Sequence, residues 1–220
     1  NLTQNAAANF QRQKTDPRDM GEFVSQTLLG IRVACARCHN HPFDRWTQAD
    51  YHQFAAFFAR TRLKGGELVL VKRGEVRHPR TGKNMQPRPL GESKTVKVDG
   101  LDYRPALADW LTGADNPFFA RAWANRVWRE MMGRGLVEPV DDLRVSNPPC
   151  NPKLLDALAS SFVKNKFDLR RLIRDIATSR AYQLSSHATA ANSTDTQLFS
   201  HAYLKPLPAP VKADAIAQAT

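Results

Sequence analysis

Cys35 and Cys38 are separated by two residues, and His39 follows directly, in the stretch CARCHNHPFDRW. Two thiols on one turn can reach two vinyl groups on one porphyrin edge, and the adjoining imidazole can bind iron beneath the ring. The C-x-x-C-H order therefore points to one covalent haem c, with His39 as proximal iron ligand. Zinc competes for the same thiols but needs two further ligands; His41 and His78 would complete a Cys₂His₂ set. A thioredoxin-type redox pair needs a βαβ setting, and none surrounds the motif. A purely structural pair of cysteines is the remaining reading.

His41 lies only two residues past His39 and cannot easily reach the opposite face of the same ring. It suits a hydrogen bond to a propionate or backbone group, a neighbouring haem, or the cap of the HPFD turn. A distal ligand would come from elsewhere. His78 in RHPRTG is favoured and Met85 in KNMQPRP stands second, both on a proline-rich loop able to present one side chain stiffly. An open distal face is the third arrangement. Met raises the reduction potential relative to His, and an open face permits ligand or peroxide chemistry. His52 is set aside because its helix already has an apolar face to bury; His187 and His201 are remote in sequence.

These residues need elements to hold them. Asp16-Pro17 reads as a helix cap with a first-turn proline, and Met20, Phe23, Val24, Leu28 and Ile31 then follow helical spacing toward Cys35. After HPFDRW, Thr47 opens a capping-box pattern with Asp50, and Tyr51, Phe54, Ala55 and Phe58 form an apolar stripe. From Gly65 to Gly100 the runs ELVLVK, EVRH and KTVKV are β-like, the first two joined near Arg73-Gly74. Beyond Tyr103 the pattern is helical. The helices comprise Ala106–Leu111, one capped by Asn116 carrying Phe119, Trp123, Val127 and Met131 inward, one capped by Asn151, and one capped by Asp168. Residues 185–197 read as an exposed linker, and a last amphipathic segment follows Pro210.

The 220 residues suffice for one large or two small domains. A hydrophobic fraction of 42% and a mean hydropathy of −0.49 suit a globular chain. No apolar run approaches the ~20 residues needed to span a bilayer. The first residues lack an initiating Met and the charged-then-apolar order of a signal peptide, so the chain reads as a mature or partial product. The net charge is +11, spread over the surface, without the signatures of specific nucleic-acid recognition. Asp141-Asp142 and Asp109 with Asp115 resemble acid pairs, but no nucleophile accompanies them. Arg121, Arg126, Arg129 and Arg134 read best as solvated helix faces.

The stretch FVSQTLLGIRVACARCHNHPFDRWTQADYHQFAAFFAR resembles the planctomycete cytochrome-type domain of large secreted proteins. The later RPALADWLTGADNPFFARAWANRVWREMMGRGLVEPVDDL and LLDALASSFVKNKFDLRRLIRDIATSRAYQLSS resemble the helical domain of unknown function that follows it. The resemblance covers most of residues 20–187. It implies export, and haem attachment at Cys35, Cys38 and His39, with His41 and the His78-Pro79 loop as matching positions. NPPCNP departs from the Ser-His-Pro-like turn of that pattern.

The expectation is a mainly α chain. A helical haem-binding domain with a small β/loop insertion, residues 1–100, precedes a helical domain, residues 101–220. Its expected work is single-haem electron transfer outside the cytoplasm, as a carrier rather than a catalyst, serving a redox partner protein or neighbouring cytochrome subunits, with a homo-oligomer or larger assembly compatible. A metal- or haem-stapled assembly module and a haem redox enzyme with an open distal site are the alternatives.

Overall fold

The computed structural model describes residues 6–98 and 100–219. It is mainly α, with seven α-helices and two small antiparallel strand pairs among the described residues. The chain forms two compact units, residues 1–123 with 137–148 and residues 124–136 with 149–220. Where the sequence suggested a join near Gly100, these units divide at Trp123-Ala124, at Leu136-Val137 and at Pro148-Pro149.

In the first unit, α1 (Pro17–Val24) starts where the Asp16 carboxylate accepts the Arg18 N–H at 2.7 Å. It buries Met20 and Val24, runs into a π-helical turn over Ser25–Leu29, and stops at Gly30. Gly30 adopts φ +66°, which glycine enters without the steric penalty of a side chain. α2 (Gln48–Ala55) opens on the complete Thr47–Asp50 capping box. Tyr51, Phe54, Phe57 and Phe58 from this region join Met20, Val24, Leu29, Ile31, Val33 and Trp46 in one core cluster. The Phe54 ring meets those of Phe57 and Phe58 edge-on, at 6.1 and 6.3 Å.

The strands differ from expectation. β1 (Thr61–Lys64) pairs antiparallel with β2 (Glu67–Leu70) across Gly65-Gly66, and β3 (Val76–Arg77) pairs with β4 (Asn84–Met85). ELVL and EVRH thus belong to different hairpins instead of pairing with each other, and KTVKV forms no strand. Its Val96 N–H instead bonds the Pro87 carbonyl at 2.8 Å. Helix α3 (Arg104–Leu111), the start of α4 (Phe119–Met132) and residues 137–148 complete this unit. Asn116 Oδ1 accepts the N–H groups of Phe118 and Phe119, both at 2.9 Å, which caps α4. The inward face of α4 is Ala120, Ala122, Ala124, Asn125, Trp128 and Met132, while Phe119, Trp123, Val127 and Met131 are only half-buried. The buried set thus combines three alanines and Asn125 with Trp128 and Met132, displaced along the helix from the set the spacing suggested.

In the second unit, Asn151 and Asp168 cap α5 (Pro152–Lys164) and α6 (Leu169–Ala177) by accepting the N–H groups of Leu154 and Arg171. α5 buries Leu155, Ala159 and Phe162; α6 buries Leu172 and Ile176. Residues 185–197 are an ordered loop more than a slack linker, because the Asp195 carboxylate gathers the N–H groups of Gln197, Leu198 and Ser200. The last helix, α7 (Ala209–Ala219), buries none of its residues.

Between α5 and α6, Lys166 and Phe167 sit at φ 53° and 60°. The Lys166 N–H bonds the Val163 carbonyl and the Phe167 N–H that of Phe162, both at 2.9 Å. This left-handed helix ending favours glycine at the first such position. Lys166→Gly is expected to raise stability by about 0.5–1 kcal/mol, as relief of strain outweighs the added freedom of the unfolded chain. Calorimetric melting checks it; an unchanged or lower Tm contradicts it.

Candidate functional site

The cysteine motif belongs to the first unit. The backbone leaves the core at Ile31 and Val33 and makes one 3₁₀ turn over Ala34–Arg37. Ala36 points into the core and is fully buried, so Cys35 and Cys38 on either side of it point out. Both thiols are free and exposed. His39 is exposed as well, and its Nδ1 lies 2.7 Å from the Asn40 carbonyl oxygen. A carbonyl only accepts, so the proton in this contact is on Nδ1, and the neutral ring of that tautomer has its lone pair on Nε2. Metal-binding histidines are commonly oriented in this way.

The turn is held from several sides. The Arg37 guanidinium pairs with Asp19 at 2.7 Å and reaches Glu22 at 3.5 Å, both on α1. Glu22 also accepts the Tyr51 hydroxyl. Burial and this bond push the Tyr51 phenol well above its ordinary range. From α2, Gln48 Nε2 and His52 Nε2 both donate to the Arg37 carbonyl, at 3.0 and 3.2 Å. The Gln48 N–H bonds Asn40 Oδ1 at 3.0 Å, and the His41 N–H bonds the Trp46 carbonyl at 2.8 Å. The chain from Arg37 to Gln48 is thereby closed on itself. Trp46 anchors it, 3% exposed, with Nε1 donating to Asp44 at 3.0 Å and Arg45 stacked 4.7 Å above its ring.

His41 is half-buried, and its Nδ1 accepts the Phe43 N–H at 3.2 Å, the turn-capping role. His78 lies inward: it is buried, its Nδ1 accepts the Arg80 N–H at 3.3 Å, and its ring sits 5.8 Å from that of His52. Met85 is half-buried in β4. The structure thus brings together Cys35, Cys38 and His39, with His41 in the same closed loop. Neither His78 nor Met85 is among the hydrogen-bond partners of His39. Among the described residues, no three His, Cys, Asp or Glu side chains cluster as a metal cage would require.

Asp141 and Asp142 act structurally. Asp141 accepts from Gln26 and pairs with Arg32 at 2.6 Å, while the buried Asp142 is 3.3 Å from Arg144. The sequence analysis set His52 aside as an iron ligand and did not single out Gln48, and neither was expected to hold the turn. Their signal was two polar side chains one turn apart on a helix that otherwise buries aromatics.

Comparison with known families follows this geometry. The model PSD1, protein of unknown function (DUF1553), matches residues 103–220. The chain belongs to the DUF1553 family. A second model, PSCyt2, protein of unknown function (DUF1549), matches residues 1–63, the stretch that carries the cysteine motif of this DUF1553 chain. Both are planctomycete-type domains of unknown function. No match was found among curated proteins or among solved structures. No described helix of the DUF1553 chain is long and apolar enough to cross a membrane.

Proposed function

We propose that Cys35, Cys38 and His39 attach one haem c, and that this chain is an extracytoplasmic electron carrier. The observation that supports it best is the pair of outward-facing thiols beside an imidazole whose Nε2 is free and whose Nδ1–H is tied to Asn40. The donor set fits the group: two free thiols for thioether bonds and one correctly protonated imidazole for iron. A bound haem supplies one-electron iron chemistry. The protein's part is to hold the turn still, through the contacts of Arg37, and to keep His39 in one tautomer. The reading assigns the proximal side to His39 and keeps His78, with Met85 second, as the candidates for the distal side. The outward edge, with Phe43 70% exposed, is the surface offered to a redox partner or a neighbouring cytochrome subunit.

The test is production of the chain together with thioether-forming maturation machinery. Intact mass is expected to show one haem per chain, and the denatured product should retain one alkylatable thiol, Cys150, of the three cysteines. Cys35→Ser should lose one thioether, and the double variant Cys35→Ser/Cys38→Ser should carry no covalent haem. A colourless product with three free thiols, or one holding zinc, overturns the proposal. Carbon monoxide binding to the reduced product would instead assign an open distal face and favour a haem enzyme.

A further inference from the structure

Helix α2 buries two polar side chains that point at a single backbone atom. Gln48 is 3% exposed and His52 1%, they lie one turn apart, and both donate to the Arg37 carbonyl. The other ends of these side chains, Gln48 Oε1 and His52 Nδ1, are buried without a hydrogen-bond partner. Each buried, unsatisfied acceptor costs about 1–3 kcal/mol. One donor would already have satisfied the carbonyl. Stability alone therefore does not account for the arrangement. What two donors from adjacent turns of a rigid helix add is direction, because they fix the plane of the Arg37-Cys38 peptide. That peptide orients Cys38 and the start of His39, while Arg37 is also anchored through Asp19.

We infer that Gln48 and His52 are positioning residues, which set the relative geometry of Cys35, Cys38 and His39 by clamping the carbonyl between the two thiols. The role toward haem rests on the function proposed above; the geometry does not. The variants are Gln48→Leu/His52→Leu, which removes both donors, and His52→Gln, whose amide nitrogen falls near the imidazole Nε2. Gln48→Glu keeps the side-chain shape but loses a donor, and remains available if the double variant does not fold. Val76→Ala, fully buried in a small cluster with Ala55, Ala56 and Ala59 in the same unit, controls for general loosening.

The haem-free full-length chain is titrated with phenylarsine oxide, which releases water as two thiols bond to one arsenic and binds more tightly when they are held close beforehand. The double variant should bind about tenfold more weakly, the effect of some 1.4 kcal/mol of lost pre-organisation. Gln48→Glu should weaken in the same direction, and His52→Gln should bind like the unaltered chain. In haem-loaded protein, the double variant should show a lower haem yield and a shifted reduction potential, with His52→Gln restoring both. Equal arsenical binding by all variants, or a loss matched by Val76→Ala, overturns the inference. An unaltered chain that takes no haem sinks the proposed function and leaves the arsenical comparison to decide this one.

Discussion

Trp46→Ala is expected to cost about 3–5 kcal/mol, the range for deleting a large buried aromatic side chain. The ring is 3% exposed and meets Phe118 edge-on at 5.9 Å, so truncation opens a cavity beneath the motif. Its polar contacts are smaller contributors. The bond from Nε1 to Asp44 is worth about 0.5–1.5 kcal/mol, and the Arg45 stack about 0.5–1 kcal/mol at an exposed site. Packing therefore dominates, and Asp44→Ala should cost only about 1 kcal/mol by losing that bond. Urea unfolding distinguishes the two by their midpoints at constant slope. A Trp46→Ala loss no larger than that of Asp44→Ala would mean that the ring merely covers the loop.

Acid should weaken the first unit before carboxylates are protonated. Burial pulls the His52 imidazole down to about 4 from an ordinary 6.5. The charges of Arg18 on α1, His78 and Arg37 act in the same direction, and the Arg37 carbonyl opposes them. As pH falls below 6.5, the unfolded chain takes up a proton that the folded chain refuses. Stability is therefore fully present above about pH 6.5 and declines down to about pH 4. At 1.36 kcal/mol per pKa unit, the loss over this window is about 3 kcal/mol. His52→Gln should flatten this part of the profile, measured by denaturant midpoints at intervals of pH. An unchanged slope would show that His52 is not the titrating group. Asp102 and Asp141, held below their usual range, should weaken folding only at lower pH, as it falls through their depressed values.

Legibility in the sequence followed the range of the interactions. Asp16, Thr47, Asn151 and Asp168 each cap the helix they were expected to start, because a cap and its amide lie within three residues. Strand pairing was less legible. Thr61–Lys64 has three exposed residues of four and carries no apolar alternation, so β2's true partner was hidden. In α4 Phe119, Trp123, Val127 and Met131 suggested one face, and the buried residues are Ala120, Ala122, Ala124, Asn125, Trp128 and Met132. The site divided similarly. Cys35, Cys38 and His39 declare their chemistry by adjacency alone. Gln48 and His52 did not, because a polar pair on a helix ordinarily marks the solvated side, and the carbonyl they serve lies a full loop earlier.

The hydrogen bonds and ion pairs that hold the Arg37 turn run from Asp19 to His52, while the packing beneath it reaches Phe118 through Trp46 and His78 through His52. Short separations close quickly and with little entropy lost. A chain made from its beginning would thus gain the turn's polar contacts early, and the packing beneath them only once Phe118 had joined the same unit. Any machinery that modifies the two sulfurs would meet a turn with its polar contacts in place and its floor still to come.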